Sequence, residues 1–314
     1  MIVTRKRPKA YVTAHHVADT AAPKIRRAIQ RGLAMARVRL RHRDLVRNIT
    51  SFDAVAAIPW ELVEADLYAS LFAALDDAFR ASGRALVSTI VRKAPREFGF
   101  FELSPRSVPY GPRMFGNLEG LEMALDQTNP AATEWAKRQA AELVTRISGE
   151  SKLAIRAIIQ RMYNDGVPPQ QAAREIRALI GLTERDALAI DNLRRGMAGR
   201  PQAQIERAVA RASAKAIARR ADTIARTESM RASNRGQQEL WRQAVTQGLL
   251  KPDALQRWII TPDELLCPVC SELGDLDPVP LDTPFIGSEG IYDSPPAHPS
   301  CRCTLALDLT AEPE

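Results

Sequence analysis

At 314 residues and 45% hydrophobic content the chain is long enough for two domains, or for one domain with an extended arm. Its low aromatic content (5%) and its wealth of Ala, Arg, Leu and Glu favour helices over sheets. No run of about 18 apolar residues occurs, and the start, Met1 to Ala10, is polar and basic, which excludes a membrane-spanning helix and a secretion leader from the expectations.

In chain order, residues 1–20 read as an arm, and Pro23 to Arg47 as an Arg-rich helix with Ile25, Ile29, Leu33 and Val38 as a thin apolar stripe. Residues 1–50 hold 13 Lys/Arg against Asp19 and Asp44, a balance of +11 within a net charge of +7. Arg5, Lys6, Arg7, Lys9, Arg26, Arg27, Arg39, Arg41 and Arg43 are therefore candidates for contact with nucleic-acid phosphates or with an acidic protein partner. No aromatic residues are interleaved with these charges, as single-strand binding would favour. A second helix starts near Pro59 and Trp60, with Leu67, Leu71, Leu75, Phe79, Leu86 and Ile90 at helical spacing as a packing face. Seven prolines and glycines between 94 and 118 make a long loop, where the main domain boundary is placed.

Beyond that loop, Thr128-Asn129-Pro130 caps a helix from Ala131 through Ile147 to Tyr163, stopped by Asn164-Asp165-Gly166. Pro169 to Ile180 makes a short helix closed by Gly181, and Thr183 with Asp186 opens another that runs to Arg195. Gln202 to Gln247 is the longest helical stretch. Within it Thr227, Arg231, Asn234, Gln238 and Trp241 fall at spacings of 4, 3, 4 and 3, hence on one face. Such a polar stripe reads as a half-buried hydrogen-bond network gripping the module that follows, with Arg226, Glu228 and Trp258 counted in it. A catalytic reading of Arg226, Thr227 and Glu228 lacks a neighbouring nucleophile or tuned base.

The last 60 residues turn to strand chemistry and reverse the charge, with three basic against twelve acidic residues from 251 onward, a balance of −9. Short strands are expected at Arg257–Thr261, within Asp275–Pro284, and at Thr304–Leu309, with Pro284, Pro295 and Pro296 in the connecting loop. All four cysteines and one of four histidines lie here, as Cys267-Pro-Val-Cys270 and His298-Pro-Ser-Cys301-Arg-Cys303. Two half-sites with the same i, i+3 spacing suit a closed tetrahedral zinc site on Cys267, Cys270, His298 and Cys301, with Cys303 as alternative ligand. In cytosol-like conditions disulfides are disfavoured, and a redox Cys-x-x-Cys lacks its βαβ context; reduced, unligated cysteines remain the bland alternative. A catalytic zinc needs an open position and an acid/base, and the chain has no His-x-Glu of the deaminase kind. The remaining histidines, His15, His16 and His42, fall in the basic arm, away from the site. The zinc is therefore expected to be structural, contributing on the order of 10 kcal/mol to a module with few apolar residues.

Asn129-Pro130 through Trp135-Ala136, Ala140 to Val144, Gly181-Leu182-Thr183, Ala225-Arg226-Thr227-Glu228 with Asn234 and Gly236, Trp258, and the Cys/His module occur in an order that resembles the phage Mu F-like head morphogenesis family. The resemblance covers roughly residues 125–308 and is most specific in the last 85. It implies a minor head (minor capsid) protein of a tailed phage, prophage or gene transfer agent, assembled in the bacterial cytoplasm and carried in the virion head near the portal. Head morphogenesis, DNA packaging or ejection are the implied roles. The portal protein, the major capsid protein and packaged DNA are the implied partners; no enzymatic activity, small-molecule substrate or membrane is implied.

The combined expectation is a mainly α fold with a small C-terminal α+β zinc-binding module and an extended basic N-terminal arm or helices. The regions are 1–93 (basic arm and helices), 94–124 (linker), 125–199 (helical domain), 200–308 (Mu F-like module) and a tail at 309–314. A zinc-containing nucleic-acid-binding protein is the alternative, opposed by the negative balance of the module. A nuclease or toxin-like enzyme would need convergent carboxylates that the sequence does not offer.

Overall fold

The computed structural model describes residues 9–39, 58–93, 130–164, 179–246, 248, 250–261 and 263–308. Its elements are α1 (Lys9–Arg39), α2 (Trp60–Lys93), α3 (Pro130–Asn164), α4 (Glu184–Gly196), α5 (Gln202–Thr246), β1 (Leu255–Ile259), α6 (Pro268–Asp275), β2 (Val279–Pro280), β3 (Phe285–Gly287), β4 (Gly290–Tyr292) and β5 (Thr304–Asp308). Arg5, Lys6, Arg7, Arg41 and Arg43 lie outside the described residues. So do the 94–124 linker, the Thr128-Asn129 cap, most of the Pro169–Ile180 helix, the 309–314 tail, and the side chains of Lys9, Arg39, Leu86 and Ile90.

The helical character expected from composition is present, with one correction at the start. Residues 9–20 are not an arm: α1 begins at Lys9 and carries Pro23 in its interior. An interior proline costs a helix about 3 kcal/mol. Here Ala14, Val17, Ala18 and Ala21 extend the buried stripe of Ile25, Ile29 and Leu33 without a break. Burying that continuous face outweighs the local penalty. Val38, assigned to the same stripe, is 72% exposed and does not belong to it.

The chain forms two compact units from non-contiguous segments, because α1, α2, α3 and α5 each contribute a stretch to both. One unit takes Lys24–Ala74 and Ala136–Ile224. Its core includes Ile25, Ile29, Leu33, Leu67, Leu71, Leu143, Ile147 and Ile155, all buried. Gly32 lets α1 approach α2 closely, since a Cβ there would stand 3.0 Å from the Leu67 Cα. The turn ahead of α4 is a polar hub. Gly181, at φ +85°, donates its N–H to Ser151 Oγ at 3.0 Å, and its carbonyl accepts from Arg220 at 2.6 Å. Arg220 also reaches Glu150 at 2.6 Å, and Arg37 donates to the Ile180 carbonyl at 3.0 Å. Thr183 then caps α4, its hydroxyl accepting from the Asp186 N–H at 3.2 Å as the spacing predicts.

The other unit takes Met1–Pro23, Leu75–Trp135 and Ala225–Glu314. Small residues bring three of its helices together. Ser82 Oγ donates to the Ser233 carbonyl at 2.7 Å, and Ser233 Oγ donates to the Ala14 carbonyl at 3.1 Å. A Cβ on Gly236 would meet the Phe79 carbonyl oxygen at 2.7 Å. The strands follow α5. A three-stranded antiparallel sheet has the order β2-β1-β5, with Leu255 opposite Asp308 and Ile259 opposite Thr304, and β3-β4 is a separate hairpin. Strand β1 lies two residues earlier than its apolar run suggests. The β3-β4 hairpin falls in a stretch assigned to loop, because three-residue strands hold too little alternation to be seen.

Candidate metal centre

The module's core is small: Leu240, Trp241 and Ala244 of α5 pack with Trp258, Leu273, Leu281, Phe285, Leu305 and the buried cysteines. Trp258 meets Phe285 edge-on at 5.3 Å. Cys267 is the N-cap of α6 with Pro268 in the first turn, so the first Cys-x-x-Cys opens a helix instead of a free turn. The Cys270 N–H donates to Cys267 Sγ at 3.3 Å, which orients that sulfur as a helix N-cap does. The second half-site precedes β5 and includes Ser300 at φ +61°, the left-handed region that favours glycine.

The five donor side chains converge as two overlapping triads. Cys267, Cys270 and His298 form one, and Cys270, Cys301 and Cys303 the other, each with its donor atoms within 4.8 Å of one another. This corrects the single four-donor set read from spacing: Cys301 approaches Cys270, not the whole first triad, because Cys270 alone lies at the junction. His298 Nε2 is 3.1 Å from Cys267 Sγ and 3.3 Å from Cys270 Sγ, and Cys270 Sγ is 3.6 Å from Cys301 Sγ. A tetrahedral zinc with sulfur at about 2.3 Å and nitrogen at about 2.0 Å sets edges of about 3.8 Å and about 3.5 Å between its ligands. The donor spacings fit such edges to within a few tenths of an ångström. His298 Nδ1 lies 2.9 Å from the Pro299 carbonyl, a contact that places the proton on Nδ1 and leaves Nε2 bare toward the sulfurs.

The electrostatics point the same way. Hydrogen bonds from Cys270 and Cys303 pull the Cys301 thiol down to about 2. The bond to Cys301, then that to Cys303 and burial, push Cys270 well above the thiol range. Cys303 is pulled down by Cys270, but Cys301 and burial outweigh this and push it up to about 12. One thiolate thus suppresses ionisation of its neighbours. Three buried sulfurs at this spacing carry negative charge together only when a cation shares them.

Around the donors, α5 supplies a polar clamp. Thr227 Oγ1 accepts from the Ser300 N–H at 2.9 Å. Asn234, fully buried, donates to the Pro295 carbonyl at 3.2 Å and accepts from Thr304 Oγ1 at 2.7 Å and the Leu305 N–H at 3.1 Å. Gln238 Nε2 donates to Gln256 Oε1 at 3.0 Å and to the Asp293 carbonyl at 2.9 Å, and Trp241 enters the apolar core. Arg231 lies 3.2 Å from the buried Glu228 and does not reach the module through any printed contact. Arg226 is exposed, so the network excludes it: its position on the helix turns it to solvent. His15, assigned to a distant arm, is part of the surroundings, with Nε2 at 2.9 Å from the Arg302 carbonyl between Cys301 and Cys303. Gln256 was not singled out from sequence, since a lone glutamine in a short strand carries no pattern. Of the basic candidates, Arg26 pairs with Asp222 at 2.9 Å and Arg27 is exposed on α1.

A long helix clamped by polar side chains to a small strand module with converging Cys and His donors defines a structural, metal-site class of protein. Among the described residues no helix is long and apolar enough to cross a membrane. Residues 155–306 match the family described as phage Mu protein F like protein, and through this domain the chain belongs to that family of phage head-morphogenesis proteins. The matched segment begins inside α3 and ends in β5, so it contains α4, α5 and all five donors. No curated protein and no solved structure matches the chain.

Proposed function

We propose that the protein is a non-enzymatic minor head protein that acts at the portal vertex or capsid interior, contacting the portal protein, the major capsid protein or packaged DNA. The family match supports head morphogenesis. The observation that carries the finer reading is a separation of charge between the two units. In the described residues, the unit of Lys24–Ala74 and Ala136–Ile224 holds 21 Lys/Arg against 10 Asp/Glu, a balance of +11; the other holds 12 against 16, a balance of −4. Arg207, Arg211 and Lys215 stand exposed at successive i, i+4 positions of α5. A basic unit suits DNA phosphates, while an acidic module suits a protein neighbour. Cryo-EM of the intact particle tests the placement: density for this chain is expected at or near the portal vertex, and its absence from proheads and virions alike refutes the reading.

The metal belongs to the same proposal. Cys267, Cys270, His298, Cys301 and Cys303 are the residues that would hold a structural Zn²⁺, which neutralises the crowded thiolates and ties α6 to the segment ahead of β5. About one zinc per chain is expected by elemental analysis of purified protein, with loss of the module's protection from hydrogen exchange in Cys270→Ser. Unchanged thermal stability after removal of metal by chelator would count against a structural ion.

A further inference from the structure

We propose that Cys303 is a working member of the metal centre, able to replace His298 as the fourth donor beside Cys267, Cys270 and Cys301. The inference rests on the metal reading above and concerns which of the chain's residues complete the site. Cys303 is 2% exposed, and its sulfur belongs with those of Cys270 and Cys301 to one triad. Cys301 and Cys303 are two residues apart at the entry to β5, where alternate residues share a face, so both sulfurs turn to the same side. The Cys303 N–H reaches Cys301 Sγ at 3.5 Å, which ties the two donors to one backbone segment.

A second observation is independent of that packing. The indole Nε1 of Trp258 is buried with no hydrogen-bond partner among nitrogen or oxygen atoms, yet burying an unsatisfied N–H is costly. That N–H faces the Cys303 sulfur and favours its thiolate. Donors aimed at sulfur are what surround thiolate ligands in metal sites. Cys270, at the junction of the triads, is then the donor common to both arrangements, with Cys267 and His298 half-buried on one side and Cys301 and Cys303 buried on the other.

Cobalt(II) titration of the full chain tests the assignment, because the sulfur-to-cobalt charge-transfer absorption rises with the number of thiolates and the visible band reports tetrahedral geometry. Wild type, His298→Ala, His298→Cys, Cys303→Ser and the double variant His298→Ala/Cys303→Ser are compared. His298→Ala should keep a tetrahedral spectrum with a charge-transfer intensity raised to that of His298→Cys, the four-thiolate reference. Its cobalt affinity should fall by no more than about 100-fold. The double variant should lose the tetrahedral spectrum, while Cys303→Ser alone keeps it through His298. A His298→Ala protein that binds no cobalt, or fails to fold while His298→Cys folds, overturns the role of Cys303, as does a double variant indistinguishable from His298→Ala. A wild-type chain that binds neither cobalt nor zinc overturns the metal reading itself, and is recognised in the first arm.

Discussion

Asn234→Ala removes the single side chain with the most bonds between α5 and the strand module. The short bonds from Thr304 Oγ1 (2.7 Å) and the Leu305 N–H (3.1 Å) disappear, and the longer ones to the Pro295 and Cys303 carbonyls, at 3.2 and 3.4 Å, go with them. Asn234, Thr304 and Leu305 are all 0% exposed, so water does not replace the lost partner without opening the interface. Two good bonds at about 1 kcal/mol each, plus about 1–2 kcal/mol for polar groups left buried and unsatisfied, give a loss of about 3–4 kcal/mol. Thr304→Val removes only the 2.7 Å bond and should cost about 1 kcal/mol by the same accounting. Urea unfolding gives the totals, and hydrogen exchange at the Leu305 amide gives the local effect. Exchange at that amide should quicken by about a hundredfold or more in Asn234→Ala, at about 1.4 kcal/mol per tenfold. A loss below about 1 kcal/mol with Leu305 still protected refutes the view that this asparagine holds the module to the helix.

Gly236→Ala places a Cβ 2.7 Å from the Phe79 carbonyl and 2.9 Å from Ser82 Cβ, so it should destabilise by about 1–3 kcal/mol in thermal or urea unfolding. Gly196→Ala, with nothing within 4 Å of the added carbon, should be neutral or mildly stabilising; equal effects at both sites defeat the packing argument. Thr227→Val leaves the Ser300 N–H without its acceptor in a left-handed turn between His298 and Cys301, and zinc affinity by chelator competition should fall about 10–100-fold, with Thr227→Ser restoring it. Burial opposes the charge on Asp191, but its hydrogen bonds and attraction to Arg194 and Arg195, at 2.8 and 2.9 Å, hold its carboxyl below the usual range. A depressed carboxylate contributes stability that is present above its unfolded value of about 3.9 and is lost as pH falls through the lower folded value. Asp191→Asn should therefore cost about 1–3 kcal/mol at neutral pH, and the difference from wild type should shrink in acid unfolding curves toward pH 2. A constant difference across that range contradicts the linkage.

Long-range order along the helices was legible because it has a local cause. Thr183 two residues after a glycine, Pro130 at a helix start, and a 45-residue stretch without breakers each dictate an element through caps and periodicity alone. The spacing of Thr227, Asn234, Gln238 and Trp241 likewise placed them on one face. The paired Cys/His half-sites were visible because metal ligation demands specific residue types at short, repeated intervals.

What only the tertiary structure decided are the matters settled by partners distant in sequence. Pro23 sits within a helix because a buried stripe on both sides of it packs, and no local signal announces that. His15 reaches the Arg302 carbonyl, 287 residues away, and Ser82, Ser233 and Ala14 converge at a crossing that small residues permit. The donors divide into two triads around Cys270 because α6 and the segment ahead of β5 meet there, whereas spacing alone offered one set of four. Short-range chemistry selects residue types and local conformation; which buried groups share a site depends on where the packed chain brings them.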